Sequence, residues 1–76
     1  WGDLGTLTFN VDDPVIQLVD SSNNEVLYTL RVSGRTFTPK APEGKSFTIK
    51  AGTNTPNQTV ATKVAVGGKP QTVQIQ

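Results

Sequence analysis

Seventy-six residues, seven of them basic and six acidic for a net charge of +1, make one domain, 1–76, because so short a chain buries only about 60% of the surface its unfolded form exposes and has none to spare for a second core. The absence of cysteine and histidine rules out disulfide staples, Ser-His-Asp triads, Cys-His dyads and the common zinc sites within the chain. The balanced charge gives no electrostatic footprint for nucleic acid, and no apolar run approaches the ~18–20 residues of a membrane span.

Leu7, Phe9 and Val11 alternate with Thr6, Thr8 and Asn10, which predicts a first strand with one apolar face. Asp12-Asp13-Pro14 ends it as a turn or a sheet-switching corner, since proline cannot donate to a ladder. Val15 to Val19 is apolar on both parities and predicts the most buried strand. After the turn signal Ser21-Ser22-Asn23-Asn24, Val26, Tyr28, Leu30 and Val32 fall on alternate positions, with Leu27, Thr29 and Arg31 on the outer face. Ser33-Gly34 then predicts a second antiparallel return, making the centre of the chain a meander. Thr36-Phe37-Thr38, stopped by Pro39, reads as a short edge strand, and Pro42-Glu43-Gly44 as a β-turn. Phe47, Ile49 and Ala51 alternate with Ser46, Thr48 and Lys50. Gly52 to Thr59 reads as an exposed loop. Val60, Thr62, Val64 and Val66 are expected on one face, and Gly67-Gly68-Lys69-Pro70 is expected to close a hairpin onto Gln71 to Gln76.

Short strands at intervals near ten residues, with no helical period, define an all-β fold: a small antiparallel β-sandwich of six or seven strands, prealbumin-like or immunoglobulin-like. The expected core is Leu7, Phe9, Val11, Ile16, Leu18, Val26, Tyr28, Leu30, Val32, Phe37, Phe47, Ile49, Val60, Val64, Val66, Val73 and Ile75.

No catalytic, cofactor-binding or metal site is expected. Asp12 and Asp13, with Asp3 or Asp20, offer oxygens to calcium, but EF-hand spacing is missing and the acids read as turn formers. Gly67-Gly68-Lys69 lacks the strand-to-helix step of a phosphate loop. Asn57-Gln58-Thr59 fits the N-glycosylation pattern. Trp1 is the one aromatic residue outside a strand pattern, and its expected place is a domain junction with the indole partly covered. A chain that begins with Trp reads as a module of a longer protein. Arg31, Lys50 and Lys63 are the remaining candidates for partner contact: with Thr29 and Thr48 they line a weakly basic outer face.

The run from Glu25 to Lys40, with Asp13 to Asp20 before it and Glu43 to Lys50 after it, resembles a small β-sandwich appended to exported bacterial metallophosphoesterases of the alkaline phosphatase D-like kind. The features that carry the resemblance are the Tyr28-Thr29-Leu30-Arg31 strand, the glycine turn at Gly34, Phe37-Thr38-Pro39-Lys40, and Phe47-Thr48-Ile49 behind Gly44. It covers about two thirds of the chain and stops at Gly52. The resemblance implies a non-catalytic, extracytoplasmic module whose partner is the catalytic domain of its parent chain. No metal-binding residue of those enzymes has a counterpart here. A carbohydrate-binding module facing a polysaccharide is the alternative.

Overall fold

The computed structural model describes every residue from Trp1 to Gln76 and contains strands only. In chain order these are β1 (Gly2–Asp3), β2 (Leu7–Phe9), β3 (Val15–Asp20), β4 (Val26–Arg31), β5 (Thr36–Phe37), β6 (Lys40–Ala41), β7 (Phe47–Gly52), β8 (Gln58–Val64) and β9 (Gln71–Val73). A four-stranded sheet, β4-β3-β7-β8, and a three-stranded sheet, β5-β2-β9, face each other, and β1 pairs with β6 in a separate ribbon. The all-β sandwich expected from the spacing is what forms. The count rises from six or seven strands to nine because two-residue ladders carry no periodic signal.

The run with two apolar parities takes the place its composition demands. β3 lies between β4 and β7, antiparallel to both, and all its residues but Gln17 are buried. Ile16 and Leu18 enter the core, where they meet Phe47, Ile49 and Val64 of the same sheet and Leu7, Phe9, Val73 and Ile75 of the other side. Phe47, Ile16, Leu18, Ile49 and Val32 are among the largest side chains sealed from solvent. Each such burial contributes roughly 1.5–3 kcal/mol of transfer free energy. Leu4 and Ala41 join this core from outside any periodic run. Beside them, Gly5 adopts φ 106 and sits where a Cβ would stand 2.6 Å from the Lys69 carbonyl oxygen, so two backbone segments cross there in contact.

Asp12-Asp13-Pro14 is the sheet-switching corner, carrying the chain from β2 of one sheet into β3 of the other. Asp13 holds φ 50, its N–H donates to Gly34 O at 2.9 Å and its Oδ1 accepts from Gly34 N–H at 2.7 Å. This docks the corner onto the Ser33-Gly34 turn. The same docking overturns the meander: after Val32 the chain does not return along β4 but passes to β5, which pairs with β2. β4 is left as a sheet edge. β5 is an edge strand as expected, at the other side of β2 from β9.

Four side-chain expectations are corrected, at Val26, Leu27, Ala61 and Thr62. Leu18 pairs with Tyr28 but Val19 pairs with Val26, so Leu27 is an extra residue and the pleat shifts there. Val26 is thereby thrown onto the outer face and is 52% exposed, while Leu27 packs partly against the core. In β8 the pairs Phe47 with Val64, Ile49 with Ala61 and Lys50 with Thr59 need an extra residue at two places. Ala61 packs against the core, Thr62 is exposed, and Lys63 takes φ 54. Alternation holds only while the register is unbroken.

The last correction concerns the C-terminus. Gly67 to Pro70 does not close a hairpin: β9 crosses to the opposite sheet and runs parallel to β2, with Leu7 opposite Gln71 and Phe9 opposite Val73. The loop is fixed by Gly67 N–H on Asp3 O at 2.9 Å and Gln71 N–H on Thr6 O at 2.9 Å. It is the one parallel pair in the fold. Beyond β9 the main chain has no strand neighbour, and two carboxamides supply one. Asn10 Nδ2 donates to Ile75 O at 3.2 Å and its Oδ1 accepts from Ile75 N–H at 2.8 Å. Gln58 Nε2 donates to Gln74 O at 2.8 Å and its Oε1 accepts from Gln76 N–H at 3.1 Å. Each amide presents a donor and an acceptor in the spacing of a peptide group, so together they seat Ile75 in the core without a ladder. The expected loop from Gly52 to Thr59 shortens accordingly, since Gly52 ends β7 and Gln58 already belongs to β8.

Candidate functional site

Of the four residues singled out for contact, two share a surface. On the outer face of the four-stranded sheet, Thr29 of β4, Gln17 of β3, Lys50 of β7 and Thr59 of β8 are successive cross-strand partners, forming one polar rung across the sheet. Strands lie about 4.8 Å apart, so the rung is about 14 Å long. Gln17 Nε2 donates to Thr29 Oγ1 at 3.1 Å. Arg31 stands in the next rung with Val15 and Gly52. Its guanidinium donates to Asp13 O at 2.6 Å and Thr53 O at 3.3 Å, tying the sheet-switching corner to the loop after β7. Arg31 is therefore a structural tie as well as a surface cation.

Lys63 and Trp1 lie elsewhere. Lys63 is at the irregular part of β8, at the edge of the sheet, opposite the stretch between Phe47 and Ile49. Trp1 precedes the β1–β6 ribbon and is 73% exposed, the most exposed large apolar side chain. This is the partly covered indole expected within the module.

The acids are dispersed: Asp3 lies in β1, Asp12 and Asp13 in the corner, and Asp20 at the end of β3. Asp12 pairs with Arg35 at 2.7 Å, and Asp3 approaches Lys40 at 4.0 Å. Asp20 sits at the far end of β3 from Asp12 and Asp13, opposite Phe47, and is buried. Its Oδ1 accepts from the Ser22 hydroxyl at 2.7 Å and the Ser22 N–H at 2.9 Å, and Lys45 lies 3.6 Å from Oδ2. The Ser22 hydroxyl bond, then the Ser22 N–H, hold its carboxyl below the usual carboxylate value; Lys45 adds to this and burial opposes it. Three acidic groups do not gather anywhere on the surface.

Tyr28 has the other perturbed group. Its hydroxyl donates to Lys40 O at 2.7 Å and accepts from Lys40 N–H at 3.2 Å, joining β4 to β6. Burial raises its pKa, and the Lys40 bond pulls the other way. Sequence periodicity places Tyr28 facing inward, but it carries no sign of this tie. Nor does it single out Asn10 and Gln58, which look like ordinary polar strand residues until the crossover brings the C-terminus between them. Asp20 had a weak signal, a carboxylate two residues before a serine, which is the spacing of an Asx-type turn.

The surface has no enclosed pocket, and no helix is long and apolar enough to cross a membrane. Comparison with protein-family models, with curated proteins and with solved structures returned no match.

Proposed function

We propose that this chain is a non-catalytic accessory β-sandwich of an exported bacterial hydrolase, of the kind appended to alkaline phosphatase D-like metallophosphoesterases, and that its partner is the catalytic domain of the parent chain. The observation that carries this reading is the use made of the two perturbed ionisable groups. Asp20 and Tyr28 are both committed to bonds that hold loops and strands in place, with Ser22 and Lys40 as partners. A general acid or base needs a group free to exchange its proton with substrate. Trp1, 73% exposed, supports a docking role, since an aromatic side chain left in water marks a contact surface.

One observation favours a second reading, a carbohydrate-binding module: the rung Thr29-Gln17-Lys50-Thr59 offers hydroxyl, amide and ammonium groups in a row across the outer face of the sheet. Affinity electrophoresis through neutral and acidic polysaccharides separates the two. Unchanged mobility in every gel, together with no turnover of phosphodiester or glycoside substrates, is the expected result. Retardation abolished by Lys50→Ala selects the binding module, and turnover by the purified chain refutes both readings.

A further inference from the structure

The sheet-switching corner contains the one aspartyl-prolyl peptide bond of the chain, Asp13–Pro14. Such a bond is the most acid-sensitive link in an ordinary polypeptide. The aspartyl carboxyl closes a small ring onto its own main-chain carbonyl carbon, and the proline nitrogen leaves as a basic secondary amine.

The fold acts on both ends of this bond. Arg31 Nη1 donates to Asp13 O at 2.6 Å, so the oxygen that gains negative charge when the carbonyl is attacked already faces a guanidinium. The Asp13 carboxylate is held through Oδ1 alone, by Gly34 N–H at 2.7 Å. The second cation of the corner, Arg35, pairs with Asp12 at 2.7 Å and not with Asp13. Asp13 is exposed to water and holds φ 50, a left-handed conformation that stores strain in a residue with a Cβ. Pro14, on the other side of the bond, is sealed from solvent, and its carbonyl accepts from Val32 N–H at 2.7 Å. A strained, solvated residue is thus joined to an anchored one.

We propose that the fold promotes hydrolysis of its own Asp13–Pro14 bond, cutting the chain into residues 1–13 and 14–76. In the acid form of Asp13 a side-chain carboxyl oxygen bonds to the main-chain carbonyl carbon. The bond from that carbon to the Pro14 nitrogen breaks, its electron pair stays on nitrogen, and the carboxyl proton ends there. The cyclic anhydride left on residue 13 takes up one water and opens to the α- and β-carboxyl groups of a C-terminal aspartate. The net change is the addition of one water, with nothing oxidised or reduced. Arg31 is the cation on the reacting carbonyl, while Asp12 and Arg35, the other charged groups of the corner, offset each other. Each molecule reacts once, on itself, which is distinct from turnover of an added substrate. Residues 1–13 keep Leu4, Leu7 and Phe9 in the core and β2 between β5 and β9, so the cut chain stays assembled and its pieces part only in denaturant.

The test holds the purified chain at mildly acidic pH, with circular dichroism showing its strands intact, and in parallel in urea at the same pH. Fragments are separated in denaturant and weighed by mass spectrometry. The folded chain is expected to release 1–13 and 14–76 about tenfold faster than the unfolded chain, below the ~10²–10³ of a shielded oxyanion donor because Arg31 stands in water. Asp13→Asn keeps an acceptor for Gly34 and tolerates a positive φ, and it abolishes the cut. Arg31→Gln lowers the folded rate to that of the unfolded chain. A folded chain cut no faster than the unfolded one overturns the proposal, as does a cut that persists in Asp13→Asn. If Arg31→Gln unfolds, the wild-type comparison decides alone; if acid melts the strands, the same comparison at neutral pH over a longer incubation decides.

Discussion

Replacing Asn10 by alanine removes the two bonds that hold Ile75, one accepted from its N–H at 2.8 Å and one donated to its carbonyl at 3.2 Å. Each bond contributes about 1 kcal/mol net, and a main-chain group left dry without a partner costs a further ~1–3 kcal/mol. Ile75 is 7% exposed, but Asn10 itself is open to solvent, so water reaches the vacated side and recovers part of the penalty. The expected loss is about 2–3 kcal/mol, on the order of 10–20 °C in Tm for a domain of this size. Gln58→Ala removes two exposed bonds to the same segment and costs less, about 1–2 kcal/mol. Because both amides hold one segment, the double variant loses less than the sum, by about 1 kcal/mol. Urea denaturation of the four proteins measures all three quantities, and amide exchange at Ile75 locates the effect. A loss under about 0.5 kcal/mol for Asn10→Ala would falsify the assignment of Asn10 as a stand-in for a missing strand.

The remaining expectations are narrower. Trp1→Ala should cost the module less than ~1.5 kcal/mol, against ~3–5 for a buried tryptophan, since the side chain is 73% exposed; a loss above ~3 kcal/mol in urea would make it core. Tyr28→Phe should cost about 1–2 kcal/mol by orphaning the Lys40 main chain, and an unchanged midpoint would sink the tie between β4 and β6. The folded pKa of Tyr28 is raised, so its contribution is full below the ordinary value of 10.0 and is lost as pH rises through the folded value, a dependence the Phe variant should lack. For Asp20 the sign is opposite. Its folded pKa is lowered, so its stabilisation is full above the ordinary 3.8 and is lost as pH falls through the folded value. Acid unfolding followed by circular dichroism should flatten in Asp20→Asn, and superimposable curves would contradict the role given to Ser22. Gly52→Ala would drive a methyl group into the Thr55 carbonyl oxygen, and a variant as stable as wild type would show that the loop after β7 yields freely.

Local sequence determined a good part of this molecule. Two apolar parities in Val15 to Val19 demanded a strand covered on both faces, and β3 is that strand. Strict alternation in Phe47 to Ala51 required one apolar and one polar face, and β7 has them. Proline after Asp13 had to end a strand, and the corner there does. These features depend on a residue and its near neighbours, through side-chain periodicity and the φ that proline permits.

Only the tertiary structure decided where register breaks and which strands meet. An extra residue at Leu27 turns Val26 from core to surface, and nothing in Glu25-Val26-Leu27-Tyr28 marks it, because the shift is a property of the pair β3–β4. Likewise the glycines at 67 and 68 suit either a hairpin or a crossover. The choice of a parallel partner in β2 rests on Val73 and Ile75 reaching the core between the sheets while Asn10 and Gln58, 48 positions apart by their numbers, hold one segment, Asn10 at Ile75 and Gln58 at Gln74 and Gln76. Local sequence specifies which face of a segment is apolar; which segments lie side by side is set by the burial that all of them achieve together.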